Sequence, residues 1–337
     1  MTGRQLRVGD DAVGAPPACG GERRHMTRVA AIDCGTNSIR LLIADALDGK
    51  LRDVHREMRI VRLGQGVDAT GAFAPEALQR TRSALVDYAA LCTTHGVDRI
   101  RMVATSATRD AGNRDVFFAM TAEVLGDVVD GAVAEVITGT EEAELSFRGA
   151  VNELDSAAGP FVIVDLGGGS TEVVLGTDTV VASYSADIGC VRLTERCLHS
   201  DPPTAAEVSA AREVVRERLG AALRVVPVEQ ARTWVGLAGT MTTVAALAQD
   251  MTVYDSAAIH LSRVGVDRLL TVCDGLIGMP RAQRAALGPM HEGRVDVIGG
   301  GAIVIEELAI ALRDRAGIDA LTVSEHDILD GIVLSIA

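Results

Sequence analysis

The sequence predicts an α/β fold of two homologous domains in tandem around an interdomain cleft. The first observation is Phe161-Val-Ile-Val-Asp-Leu-Gly-Gly-Gly-Ser-Thr-Glu-Val-Val-Leu-Gly176. Its two β-branched runs are too short for helices and flank a glycine turn, so they read as a buried hairpin. The second is a copy, Val29-Ala-Ala-Ile-Asp-Cys-Gly-Thr-Asn-Ser-Ile-Arg-Leu-Leu-Ile-Ala-Asp45, in which Asp33 matches Asp165, Gly35 matches Gly167 and Ser38 matches Ser170. The matching aspartates lie 132 residues apart. Solenoid repeats recur every ~20–50 residues, so this repeat unit is a domain. The third observation is length, since 337 residues suit two domains that each bury a core.

Residues 1–25 hold Gly, Pro, Arg and Asp without apolar periodicity and lack the apolar run of a signal peptide. They are expected to be a disordered extension, with Met26 a candidate start. The first domain is expected over 26–155 and the second over 156–337, divided by the loose Asp155-Ser-Ala-Ala-Gly-Pro160, with the last helix free to pack back on the first domain. After the first hairpin, a third strand is expected over Arg52–Leu63, a helix from Pro75 to His95, and a strand over Ile100–Thr105. Ala104-Thr-Ser-Ala-Thr-Arg-Asp110 then leads into a helix continuing through Phe117 and Met120. A strand at Val133–Ile137 precedes a helix whose Thr138 and Glu141 have capping-box spacing. The second domain adds a strand at Val180–Ser185, a helix at Thr204–Leu223, a strand at Trp234–Leu237 and a helix after Ala238-Gly-Thr240. Another helix is expected to start after Gly299-Gly-Gly301, and a strand and helix close the chain from Val323.

Composition excludes several functions. A net charge of −14 argues against a nucleic-acid-binding surface, which needs a basic stripe. No run of ~18 apolar residues could span a membrane. A polyanionic ligand would be held locally, by arginine, backbone amides and metal. The six cysteines show no C-x-x-C pair or zinc spacing, and the seven histidines no H-E-x-x-H, so a reduced cytoplasm fits.

Four places offer chemistry, each with a plainer alternative. Three glycines remove every Cβ from the 167–169 turn, giving either an anion-binding concavity flanked by Asp165 and Glu172 or merely a tight turn. The second copy of the turn favours the first reading, with phosphate and a divalent cation as ligands. Arg109 stands at a strand end before a helix, as an anion contact or as a surface arginine near a cap. Gly239-Thr240 binds phosphate or caps a helix. Glu141 is taken by its cap, leaving Glu142 as a functional carboxylate or a partner of the helix dipole.

In chain order, Asp33-x-Gly-Thr-Asn-Ser38, Thr105-Ser-Ala-x-Arg-x-Ala-x-Asn113, Ile137-x-Gly-x-Glu-Glu-Ala143, Asp165-x-Gly-Gly-Gly-Ser-Thr-Glu172, Gly236-x-x-Gly-Thr240, Arg294-x-Asp-Val-Ile298 and Val323-Ser-Glu-x-x-x-x-Asp-Gly331 resemble the motifs of the Ppx/GppA family. That family comprises exopolyphosphatases and guanosine pentaphosphate phosphohydrolases of the actin, sugar-kinase and heat-shock-protein superfamily. The resemblance covers roughly residues 28–335, in a short two-domain form. It implies two ribonuclease-H-like domains, Glu142 as the base that activates water, and Asp165 and Glu172 as metal and water-positioning carboxylates. It also implies phosphate contacts by Gly167, Gly168, Ser170, Asn37, Ser38 and Arg109. The paired turns add Asp33 to the metal set and Gly35, Thr36, Gly169 and Thr171 to the phosphate set, and the third Gly/hydroxyl turn adds Gly239 and Thr240. One departure is Glu144, where the family often has arginine.

The expected activity is metal-dependent, processive removal of terminal phosphate from inorganic polyphosphate, with magnesium as the ion and manganese as its substitute. Hydrolysis of guanosine pentaphosphate (pppGpp) is the alternative, and a non-catalytic polyphosphate or alarmone sensor is a third reading. A kinase of the same superfamily would share both hairpins, but no motif recommends an acceptor. Polyphosphate is preferred because aromatics are 3% of the chain and Trp234 sits in an apolar run, whereas guanine needs a flat partner. The expected partners are polyphosphate and then pppGpp, with no nucleic acid or membrane, and a homodimer is one expected assembly.

Overall fold

Val29 to Cys34 are buried on both faces of their strand, the mark of a central strand covered on two sides. This strand, β1 (Thr27–Cys34), pairs antiparallel with β2 (Ser38–Leu47), and β2 pairs with β3 (Lys50–Ile60). The computed structural model describes residues 27–47 and 50–337, so the expected extension over 1–25, Met26 and Cys19 lie outside the described residues. The chain then forms α1 (Val67–Thr70), α2 (Pro75–His95), β4 (Arg99–Ala104), α3 (Ser106–Asp110), α4 (Arg114–Gly126), β5 (Ala134–Val136) and α5 (Gly139–Val151). β4 adds parallel to β1 and β5 parallel to β4, giving the order β3-β2-β1-β4-β5.

The second half opens with β6 (Phe161–Leu166), β7 (Thr171–Gly176) and β8 (Val180–Ala186), again an antiparallel meander. Next come α6 (Cys190–Cys197), α7 (Ala205–Val225), β9 (Thr233–Leu237), α8 (Ala238–Ala248), α9 (Ser256–Ile259) and β10 (Arg263–Gly265). The chain ends with α10 (Val266–Gly278), α11 (Arg281–Arg284), α12 (Ile298–Ala316), β11 (Ala320–Val323) and α13 (Ile328–Ile336). The strands run β8-β7-β6-β9-β11, with β10 added antiparallel at the edge. The duplication seen in the hairpins therefore extends to whole sheets of equal order.

Two helices join the halves. The C-terminal α13 packs Ile328, Leu329, Ile332 and Val333 against Val29, Ala31, Leu42 and Val103 of the first sheet. Helix α5 turns Leu145 toward that same cluster and Ala143, Phe147 and Ala150 toward Phe161, Ile163, Val235 and Leu237 of the second sheet. It is thus apolar on two faces, and its first turn opens at the cleft. α5 and α13 touch backbone to backbone: a Cβ on Gly149 would lie 1.8 Å from the Asp327 carbonyl oxygen, and one on Gly331 2.0 Å from that of Leu145.

Three expectations change in detail. The stretch expected to lead from the strand end into the helix through Phe117 and Met120 forms a short helix of its own, α3, set off from α4 at 111–113, where Asn113 hydrogen-bonds both the amide and the carbonyl of Phe73. Gly299 to Gly301 lie inside the first turn of α12 and not before it. They are glycine because Cβ atoms would collide with the Arg284 guanidinium (2.9 Å), Thr194 Oγ1 (2.4 Å) and Thr240 Cγ2 (2.4 Å). At α5, the Thr138 hydroxyl accepts from the Glu141 amide at 3.2 Å, but the Glu141 carboxylate accepts from Arg101 at 2.6 Å instead of returning to the cap.

Candidate active site

The two hairpin turns close in the same way. Gly35 donates its N–H to the Ser38 carbonyl at 2.9 Å and Gly167 to that of Ser170 at 3.1 Å. The carbonyls of Gly167 and Gly168 accept the amides of Cys190, Val191 and Arg192 at 2.9–3.1 Å, so the first turn of α6 holds the glycine loop from behind. That leaves the amides of Thr36, Asn37, Gly168, Gly169 and Ser170 without an acceptor among the described residues. The loops also meet each other. A Cβ on Gly169 would lie 2.6 Å from Thr36 Oγ1 and 2.7 Å from Ser106 Oγ, and one on Gly168 3.0 Å from the Thr36 Cβ. These glycines serve close approach across the cleft; neither has positive φ.

Four carboxylates gather here. Asp33 and Asp165 occupy matching positions, and register places Arg40 opposite Asp33 but Glu172 opposite Asp165. Arg40 donates to Asp33 Oδ2 from Nε at 3.0 Å and Nη2 at 2.7 Å, and its Nη1 reaches Asp327. Asp33 Oδ1 is buried with no partner, as is Thr36 Oγ1. Asp165 accepts from Ser146 Oγ at 2.6 Å, Glu172 from Ser185 Oγ at 2.7 Å, and Glu142 from Arg109 Nη1 at 2.7 Å. Burial, only partly offset by Arg109, pushes the Glu142 carboxyl up to about 7. Burial and the Asp327 charge push Asp165 up to about 6, and burial with Glu142 and Asp165 nearby raises Glu172 well above its ordinary value. Burial also raises Asp33, against the pull of Arg40.

Asp33, Glu142, Asp165, both turns, Thr105, Ser106 and Gly239 line a pocket of about 90 Å³. Through Arg40, Ala238, Gly239 and Arg294 it adjoins a chamber of about 480 Å³ whose wall includes Tyr254, Met58, Glu57 and Glu325. Ala238, at φ 67°, is a non-glycine residue in the left-handed region at this junction. Paired glycine loops around buried carboxylates, on twin sheets of equal order, find their counterpart in known proteins. The Ppx/GppA phosphatase family matches residues 42–336. This chain belongs to that family.

Among relatives of this Ppx/GppA member, the exopolyphosphatase 2 of Mycobacterium tuberculosis is 76% identical over 316 residues, covering 93% of this chain and 99% of that protein. A guanosine-5'-triphosphate,3'-diphosphate pyrophosphatase of Vibrio campbellii is 30% identical, over 90% of this chain but 58% of its own length. A crystal structure of an exopolyphosphatase-like protein superposes with a TM-score of 0.89 at 42% identity, covering 92% of this chain and 98% of that one. The Aquifex aeolicus PPX-GPPA enzyme gives 0.75 at 32% identity, over 92% and 100%. The fold is the two-domain, actin-like arrangement of this family.

Not every expected residue faces the pocket. Arg109 directs its Nη1 to Glu142 and to the Ile137 carbonyl (3.2 Å), because the short α3 turns it toward the start of α5. Both bonds use Nη1, so Arg109 braces the carboxylate through one arm of its guanidinium. Thr171 is fully buried and donates to the Ile188 carbonyl at 2.6 Å, and Thr240 is turned against Gly301 of α12. The Gly35 and Gly167 amides close their own turns, so their part is space, not donation. The oxygens of Asp33, Asp165 and Glu172 do not lie within 4.8 Å of one another as a set, and Glu172 sits behind the pocket. Among the described residues the one such set is Glu153, His260 and His326. There His260 Nδ1 accepts the Glu325 amide, so its Nε2 carries the proton shared with Glu153 at 2.8 Å, and the group is satisfied by hydrogen bonds.

Arg40, Arg294 and Asp327 went unnamed as site residues in the sequence. Arg40 had a readable signal: a turn closed by Gly35 and Ser38 puts residue 40 opposite Asp33 in the ladder. Arg294 and Asp327 come from distant segments, and only the tertiary fold brings them to the cleft.

Proposed function

We propose that this chain is an exopolyphosphatase that releases orthophosphate from the end of inorganic polyphosphate, with Glu142 as the general base. The observation that carries this reading is Glu142 itself. It is a buried carboxyl at the first turn of α5, held near pH 7 and aimed at a pocket walled by two amide-rich loops. A base works best when its pKa lies near the operating pH. The 76% identity to a protein named exopolyphosphatase 2 supports the same reading.

Phosphoryl transfer asks mainly for positioning and charge neutralisation. The free amides of Thr36, Asn37, Gly168, Gly169 and Ser170 hold the terminal phosphate oxygens, Arg294 adds positive charge at the chamber side, and Glu142 takes the proton of the attacking water. The products are orthophosphate and a chain shortened by one unit. The donors fit magnesium, which keeps several waters and takes one or two carboxylates with substrate phosphates. Asp33, with its unpartnered Oδ1, and Asp165 would hold the ion, with Glu172 opposite Asp165 on the next strand adding negative charge. Bound there, magnesium supplies charge neutralisation for the phosphoanhydride. Buried free thiols at Cys34, Cys92, Cys190 and Cys273 support a reducing, cytoplasmic location. No helix among the described residues is long and apolar enough to cross a membrane.

One observation favours pppGpp as a second substrate. The chamber beside the pocket carries the aromatic plane of Tyr254 next to Glu57 and Glu325, which suits a nucleobase edge. Initial rates of phosphate release from long polyphosphate, short polyphosphate, pppGpp and ATP test the assignment. Higher kcat/KM on a polyphosphate than on pppGpp is expected, and faster cleavage of pppGpp than of every polyphosphate length reverses it.

A further inference from the structure

Arg192 is tied to one side of the cleft by its backbone and to the other by its side chain. Its amide donates to the Gly168 carbonyl at 3.1 Å, in the glycine loop of the second sheet. Its side chain, only 13% exposed, carries the guanidinium across to the first domain. There Nη2 reaches Ser106 Oγ at 3.2 Å and the Asp110 carboxylate, while Nη1 reaches Asp68 Oδ1 at 3.2 Å. Neighbours on α6 strengthen the crossing. Arg196 donates to Asp68 at 2.8 Å, and Glu195 accepts the Gly66 amide at 3.2 Å.

Ser106 and Asp110 are the two ends of α3 and lie one turn apart on one face. Between them in sequence stands Arg109, which leaves α3 in another direction to hold Glu142. A guanidinium gripping both ends of this five-residue helix fixes its rotation, and so the direction from which Arg109 meets the base. We infer that Arg192 is a positioning residue: it locks the phosphate loop of one domain to α3 of the other, so that closing the cleft aligns Arg109 and Glu142. This rests on the reading of Glu142 as base.

A double-mutant cycle tests it, with kcat and KM for polyphosphate measured in Arg192→Ala, Arg192→Lys, Glu142→Gln and Arg192→Ala/Glu142→Gln. A small misplacement of a catalytic group costs up to about 100-fold. Arg192→Ala should therefore lower kcat by roughly 10–100-fold with KM and melting temperature little changed. Arg192→Lys should recover part of the loss, since lysine keeps the charge but not the fork. In the Glu142→Gln background the same alanine substitution should cost less than about twofold, because its effect runs through the base. Equal losses in both backgrounds, or no loss of kcat in Arg192→Ala, overturn the inference alone. Full turnover by Glu142→Gln overturns the base assignment and this inference together.

Discussion

Glu142 is 8% exposed and has one cationic partner, Arg109. Burial raises its carboxyl and Arg109 lowers it, with burial the larger effect, which leaves it about 7. A base must be deprotonated to act, so kcat/KM should rise with pH through about 7. Arg109→Ala removes the opposing cation and should move that midpoint to higher pH. A pH profile left in place by the substitution would show that the pair does not set the base. The same carboxyls make stability depend on pH. The folded values of Glu142 (about 7) and Asp165 (about 6) lie above the ordinary 4.5 and 3.8, so the folded state binds the extra protons. Their stabilisation is complete below about pH 4 and is lost as pH rises through about 6 to 7. Metal-free protein should therefore melt at lower temperature at pH 8 than at pH 5, and added magnesium should narrow the gap by favouring the charged carboxylates. A melting temperature indifferent to magnesium at pH 8 would remove the ion from Asp33 and Asp165.

At the scale of elements, the contact between α5 and α13 decides where Glu142 and Asp327 sit. A Cβ at residue 331 would lie 2.0 Å from a backbone carbonyl that cannot move aside cheaply. Gly331→Ala should cost about 3 kcal/mol, outweighing the ~1 kcal/mol that alanine gains over glycine in a helix. Gly275 of α10 has nothing within 4 Å of the same position, so Gly275→Ala should stabilise slightly. Chemical denaturation of both variants checks the contrast, which fails if the two shift alike. Much of this level was legible in the sequence. Both hairpins, α2 with Pro75 at its start and Gly96 at its end, and α7 capped by Thr204 follow from period, turn and capping chemistry. The three glycines of α12 and the break at 111–113 did not, because both depend on what lies against them. The candidate site divides in the same way. Asp33, Asp165 and the glycine loops are written in the repeat, whereas the commitment of Arg109 to Glu142 and the approach of Arg294 are set by helix orientation and by distant segments.

For the whole molecule, duplication gives two loops, and the cleft turns them into one site. The copies have diverged where it matters, since Arg40 neutralises Asp33 while the matching Glu172 adds charge beside Asp165. One half is thus balanced and the other left hungry for a cation, while α5 brings Glu142 between them from the link joining the halves. Hydrolysis of polyphosphate in this shared pocket is proposed to run through Glu142 and not through its neighbour Glu141. Turnover of polyphosphate by Glu142→Gln beside Glu141→Gln tests it most directly. Glu142→Gln should lose ~10²–10⁴ in kcat while still binding polyphosphate, and Glu141→Gln, whose carboxylate only meets Arg101 at the surface, should keep nearly all activity. Equal loss in the two variants, or full turnover by Glu142→Gln, would remove Glu142 as the base.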